Sequence, residues 1–143
     1  MLVSTKGRYA LRVMIDLAEH SSGGYIPLKD IAERQDISEK YLESIVVLLS
    51  KAGLLEGLRG KGGGYKLTRR PEQYTAGSIL KVTEGTLAPV ACLEEHANSC
   101  PRAPECRTLP MWKQLDQTLD KFFEGVTIAD LMKKGSDGGD FVI

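Results

Sequence analysis

Residues 28–65 read LKDIAERQDISEKYLESIVVLLSKAGLLEGLRGKGGGY, and the order of elements in this stretch decides the fold. Leu28–Arg34 places Ile31 and Ala32 inward and predicts a short helix, followed by a tight turn at Gln35-Asp36-Ile37. Ser38 is a capping residue for the next helix, Glu39–Lys51, whose buried stripe is Leu42, Ile45, Val46 and Leu49. Gly53 ends that helix in a left-handed conformation. The period then changes. Residues 54–59 and 64–68 are two strand-like runs around Gly60-Lys61-Gly62-Gly63, which predicts a hairpin. Helix, turn, helix and a glycine-tipped hairpin, in that order, make a winged helix-turn-helix.

Upstream, Ser4 caps a helix whose apolar positions Ala10, Val13, Met14, Leu17 and Ala18 stop before Ser21–Gly24. Downstream, Thr75 caps a helix over 76–83, residues 87–108 form a loop without periodicity, and Thr108 and Pro110 open a long helix to Glu124. Residues 135–140 are flexible by composition, and Phe141-Val142-Ile143 is apolar enough to dock. The expected fold class is mainly α with a small β-hairpin wing. Its expected parts are a winged helix-turn-helix domain at 1–85, a cysteine-bearing loop at 86–108, and a dimerisation helix with a C-terminal tail at 109–143.

A chain of 143 residues can bury a core without staples. Hydrophobic content of 42% and charged content of 27% are globular proportions and exclude disorder along most of the length. The longest aliphatic run, Ile45–Leu49, is far too short to cross a bilayer, and residues 1–10 have no secretory pattern. A soluble cytoplasmic protein with no membrane partner is expected.

The net charge of +0 conceals an uneven distribution. Between Lys51 and Arg70 six bases face one acid, whereas between Glu84 and Cys106 four acids face one base. The basic region coincides with the wing. A helix that enters the major groove needs short polar or basic groups on its exposed face, and here that face carries Ser38, Lys40, Tyr41, Glu43 and Ser44. Lys40 and Tyr41 can hold phosphates or bases. Glu43 is repelled by phosphates unless it accepts a hydrogen bond, most naturally from cytosine N4; otherwise it is a solvated residue near Lys40. In the hairpin, Arg59, Lys61 and Lys66 surround glycines that allow close approach to a phosphate ribbon, and an arginine at such a tip suits a narrow minor groove. A nucleotide-binding glycine loop is excluded, because no Gly-Lys-Ser/Thr closes the run and it joins two strands. Turn geometry accounts for two of the four glycines, and contact with double-stranded DNA for the rest.

From Leu109 the apolar residues Leu109, Trp112, Leu115, Leu119, Phe122 and Val126 recur at coiled-coil spacing. This seam predicts a partner helix, most simply that of a second copy, so that two recognition helices read an inverted repeat. The alternative is a helix folded back on its own winged domain.

Cys92, Cys100 and Cys106, spaced C-x7-C-x5-C, are the only cysteines, and an odd count in a cytosolic chain is no disulfide framework. Cys106 precedes a helix start and lies between Arg102 and Arg107, a setting that favours the thiolate. Soft sulfur ligands take an iron–sulfur cluster, zinc or copper(I), and with His96 the three cysteines make a complete Cys3His zinc set. Free redox-active thiols are a third reading. No substrate-binding constellation of His, Asp or Ser accompanies the cysteines, which argues against an enzyme, and an electron carrier has no use for a basic wing.

Over nearly its whole length the chain resembles the IscR/NsrR/CymR-type family of bacterial winged helix-turn-helix transcriptional regulators. The resemblance rests on STKGRYA at 4–10, on Ile37-Ser38 followed by Tyr41-Leu42-Glu43, and on Arg59-Gly60 with Gly62-Gly63-Gly64-Tyr65. The loop cysteines ahead of the tryptophan-bearing helix complete it. The resemblance implies a homodimeric transcription factor, most often a repressor, with Glu43 and the Arg59 wing in contact with DNA. In the cluster-bearing branch it implies an iron–sulfur cluster on the three cysteines, which ranks the cluster ahead of zinc. In the CymR branch it implies control by a protein partner. The chain departs from the family pattern at the fourth ligand. Cluster-bearing members carry either a histidine three residues after the third cysteine or an aspartate near the start of the first helix, and this chain has Leu109 and Arg8 there. His96, Glu94, Glu95, Glu105 or a small molecule must fill the place, or an iron stays open, so a 2Fe–2S and a 4Fe–4S cluster are both compatible with the ligands. Lys40 and Ser44 replace the serine and glutamine of IscR-like members, which points to a different operator sequence.

Overall fold

A computed structural model describes residues 3–95 and 100–133. His96 and the tail segments 135–140 and 141–143 lie outside the described residues. The element order is α1 (Thr5–Glu19), α2 (Leu28–Gln35), α3 (Glu39–Lys51), β1 (Leu55–Leu58), β2 (Gly64–Leu67), α4 (Ala76–Glu84), α5 (Leu109–Glu124) and α6 (Ile128–Leu131). The fold is a mostly helical winged helix-turn-helix with a two-stranded antiparallel wing. No helix of the described residues is long and apolar enough to cross a membrane.

The starts of α1 and α3 are set by local caps. Ser4 Oγ accepts the N–H of Gly7 at 3.2 Å and Ser38 Oγ accepts that of Tyr41 at 3.1 Å, so two orphan amide groups are satisfied where the sequence places caps. The turn between α2 and α3 is made by Asp36 at φ 53, a left-handed conformation that a short polar side chain tolerates. The inward stripe of α3 is fully buried at Leu42, Ile45, Val46 and Leu49, each contributing roughly 1.5–3 kcal/mol of burial. Together with Val13, Met14 and Leu17 of α1 and Ile31 of α2, this stripe forms the core.

The wing is held to that core by a third backbone segment. Ile26 bridges Tyr65 through two hydrogen bonds of 2.8 Å, so the strand pair with register Leu55↔Leu67 and Leu58↔Gly64 is anchored ahead of α2. Gly64 is required there: an added Cβ would lie 2.1 Å from the Ile26 carbonyl oxygen, and its φ is 147. Gly63 is pressed against the Leu58 carbonyl oxygen in the same way, while Gly60 and Gly62 have φ of 92 and 77. This corrects the expectation from sequence. All four wing glycines are explained by turn geometry and close internal packing, and the case for nucleic acid passes to the basic side chains between them.

Two features escape the sequence reading. Tyr74 is fully buried, and its hydroxyl donates to the Leu54 carbonyl at 2.9 Å while accepting the N–H groups of Thr68 and Arg69 at 2.8 and 3.0 Å. It ties the wing to the start of α4. After α5 the chain returns: Thr127 caps α6, Ile128 donates its N–H to the Tyr74 carbonyl at 3.0 Å, and the Ile128 side chain is fully buried in the core.

Candidate nucleic-acid interface and cysteine loop

The exposed side of α3 carries Lys40, Glu43 and Ser44, with Ser38 exposed at its cap. Tyr41 is half-buried, its ring edge-on to Tyr9 of α1 at 5.7 Å, so it braces the first turn of α3 as well as bordering its outer face. Ser44 Oγ donates to the Tyr41 carbonyl at 2.7 Å. Neither Lys40 nor Glu43 enters an ion pair among the described residues. Their charges face solvent beside a helix N-terminus.

In the wing, Arg59 and Lys61 are exposed. Lys66 is differently placed: its Nζ lies 3.8 Å from the Glu56 carboxylate and 4.7 Å above the Tyr25 ring. Of the three wing cations, Arg59 and Lys61 are therefore the unengaged ones, and Lys66 is steered by an acid and an aromatic face.

Below this surface lies a polar network that sequence reasoning missed. Asp16 of α1, fully buried, accepts from Arg34 Nε at 3.0 Å and Nη2 at 2.7 Å, and from Gln35 Nε2 at 2.9 Å. The Gln35 side-chain oxygen accepts from Arg12 Nε at 3.1 Å, and Arg12 Nη2 also donates to the Gln35 carbonyl. The bond to Asp16 holds the Arg34 guanidinium above its ordinary pKa. A buried carboxylate with a bidentate arginine and an amide relay thus pins the end of α2, one residue before the turn that launches α3. The signal was present in the sequence: Asp16 is an acid inside the otherwise apolar run Met14–Leu17.

The three cysteines are brought together. Cys92, Cys100 and Cys106 are free thiols that line one recess of about 240 Å³, with Leu93, Ala103, Leu109 and Lys113 completing the wall. Cys106 is shifted toward the thiolate by the Thr108 hydroxyl at 3.5 Å and then by the backbone N–H groups of Thr108 and Leu109. The Thr108 hydroxyl leads, and the amides at the start of α5 add to it. The donor chemistry fits a soft metal centre: three thiols, a largely apolar wall and one lysine. Among the described residues no three ligand-type side chains are already drawn together tightly enough to hold an ion, and none supplies a fourth ligand to the recess. Leu109, three residues after Cys106, is part of the wall.

α5 has no buried residue. Along the predicted seam, Leu109, Trp112 and Leu119 are half-buried, while Leu115 and Phe122 are exposed, as is neighbouring Met111. α5 meets α4 chiefly at its C-terminal half, where Lys81 Nζ donates to Asp120 at 2.7 Å and to Glu124 at 3.0 Å. The helix does not fold back to bury its apolar stripe among the described residues.

Residues 3–134 match Rrf2, a family described as iron-dependent transcriptional regulators. The chain belongs to the Rrf2 family. It is 36% identical over 132 residues to the HTH-type transcriptional regulator IscR of Aliivibrio salmonicida, covering 92% of this chain and 77% of that one. Among solved structures it resembles CymR, the global cysteine regulator of B. subtilis, with TM-score 0.73 and 37% identity over 92% of this chain and 95% of the other. It also resembles T. potens IscR, with TM-score 0.70 and 34% identity over 94% of both chains. As an Rrf2 member with this winged-helix fold, the chain is a DNA-binding transcriptional regulator, and the relatives it matches are regulators rather than enzymes.

Proposed function

We propose that this Rrf2 regulator is a homodimeric, sequence-specific repressor acting in the cytoplasm on an inverted-repeat operator. Ser38, Lys40, Tyr41, Glu43 and Ser44 face the major groove, and Arg59, Lys61 and Lys66 present the wing to the flanking minor groove. The observation that carries this reading is the exposure of a Lys40–Glu43 face without ion pairs on α3, together with exposed Arg59 and Lys61 on a wing bridged to the core. Leu109, Trp112, Leu115, Leu119 and Phe122 form the surface on which the second copy packs.

Cys92, Cys100 and Cys106 would hold an iron–sulfur cluster, with the fourth ligand left open and His96 as a candidate. When bound, such a cluster supplies a centre reactive toward oxidants and nitric oxide and responsive to iron–sulfur supply. The chain's own residues make the connection to DNA. Leu109 belongs both to the recess wall and to the apolar seam, so any adjustment of the cysteine loop reaches the dimer surface through one side chain. Lys81 then links α5 to α4, which packs on α1 of the DNA-binding domain. The relative spacing of two recognition helices is the quantity so biased.

Anaerobic purification tests the cysteine assignment. A coloured wild type with matched iron and sulfide, and a colourless Cys100→Ala variant that still dimerises, are expected; a colourless wild type overturns it. Arg59→Ala should weaken binding to the duplex selected by the wild type from a random pool by about 1–3 kcal/mol, and unchanged binding at matched salt rejects that role. A second reading, a zinc-bound or cluster-free regulator controlled by thiol redox or a protein partner as in the CymR branch, is favoured by Leu109 in the recess wall. Zinc in place of iron and sulfide in the same metal analysis selects it.

A further inference from the structure

A single cation stands on the wall of the cysteine recess. Around Cys92, Cys100 and Cys106 that wall is Leu93, Ala103, Leu109 and Lys113, so Lys113 is the one charged side chain among the described residues that line it. It lies on α5 one turn beyond Leu109, a spacing that sets both residues on the same helix face. Lys113 enters no ion pair among the described residues, whereas Lys81 is held by Asp120 and Glu124. Arg102 and Arg107 flank Cys106 in sequence but are not part of the wall.

We infer that Lys113 offsets the negative charge of the metal centre on the three cysteines and thereby sets how readily that centre takes up an electron. The inference rests on the iron–sulfur reading of the recess and adds to it a residue that is not a ligand. Cysteines ligate as thiolates, so three of them outweigh the formal dipositive core of an oxidised 2Fe–2S or 4Fe–4S cluster by one negative charge. Uptake of one electron from a one-electron donor adds a second negative charge, with no bond broken and no proton moved. The count is the same for either cluster, and so is the direction of the effect. A cation on the wall favours the more negative state, and the apolar side chains around it weaken screening by water on that side. Lys113 is itself exposed, which keeps the effect modest. A lysine that served only solvation would leave the electron affinity unchanged.

The test uses the full chain purified without air, with its iron and sulfide counted. Its visible absorbance is titrated with dithionite through viologen mediators. At the potential that half-reduces the wild type, Lys113→Gln should lower the reduced-to-oxidised ratio about three- to tenfold, equivalent to about 30–60 mV for a one-electron couple. Lys113→Arg keeps the charge and should titrate like the wild type. So should Lys121→Gln, which removes a cation from the last turn of the same helix. Added salt should narrow the gap between wild type and Lys113→Gln. If Lys113→Gln loses its colour while Lys113→Arg keeps it, positive charge is needed to retain the centre and the inference stands. Equal midpoints in coloured wild type and Lys113→Gln overturn it and leave the cluster reading intact. Loss of colour in both Lys113 variants, or an equal shift in Lys121→Gln, overturns it as well. A colourless wild type removes the cluster reading and this inference with it.

Discussion

Both α3 and α5 are amphipathic, yet only α3 hides its apolar side. Leu42, Ile45, Val46 and Leu49 are completely buried, whereas no residue of α5 is buried and Met111, Leu115 and Phe122 remain open to water. The polar groups differ in the same sense. Under the helix-turn-helix, Arg34, Gln35 and Arg12 form a partly buried network around the fully buried Asp16. On α5, the ion pairs of Lys81 with Asp120 and Glu124 are solvent-exposed. A helix that satisfies its own needs within the chain serves as a rigid reading head. One that leaves them unmet keeps an open apolar face, and Leu109 at its start also lines the cysteine recess.

The contrast is open to attack from each side. Asp16→Ala strips the network of its buried acceptor and leaves the Arg34 guanidinium and Gln35 amide without that partner. A loss of about 3 kcal/mol in urea-measured stability is expected, at the low end for a broken buried pair because Arg34 keeps a third of its side chain in water. A loss below about 1 kcal/mol would show that the helix-turn-helix is not internally locked. Leu115→Asp, on the open face of α5, should weaken self-association at least tenfold in analytical ultracentrifugation. Trp112 is the only tryptophan and lies on α5, so its emission should shift red with dissociation while the far-ultraviolet circular dichroism stays put. Unfolding of the whole chain by that variant would erase the distinction between the two helices.

Gly64→Ala sharpens the role of the wing anchor. Its Cβ would collide with the Ile26 carbonyl, so a cost of about 1–3 kcal/mol is expected. Lys81→Met is the mildest test, at under about 1 kcal/mol, because the pairs it removes are exposed. Hydrogen bonds to Asp120, then to Glu124, raise the Lys81 pKa above the ordinary 10.5. The stabilisation is therefore fully present below pH 10.5 and lost as pH rises through the raised value. A wild type and variant whose stabilities converge at high pH are expected; a constant gap would deny the ion pairs their part.

Much of the candidate site was legible because it is built from local signals. Ser38 and Ser4 cap, Gly53 stops a helix, and the apolar period of α3 appears in the residues and in the burial alike. The wing is legible in its two strand-like runs, though not the whole role of its glycines. The sequence assigns two of the four wing glycines to turn geometry and the other two to contact with DNA, but Gly63 and Gly64 are needed against Leu58 and Ile26 of the same chain. Asp16, Tyr74 and Ile128 were missed because each draws its meaning from partners far along the chain: Arg34, Leu54 and Tyr74 respectively.

Short-range chemistry settled the order of elements, the exposed face of the recognition helix, the basic wing and the clustering of three thiols, since caps, periodicity and spacing act within a few residues of one another. Long-range packing settled the rest. Which acid is buried, which wing cations are engaged, where the chain returns after α5, and which amphipathic helix stays uncovered all depend on surfaces that meet only once the core has closed. Burial and pairing are properties of the neighbours a side chain acquires, and no local pattern names those neighbours.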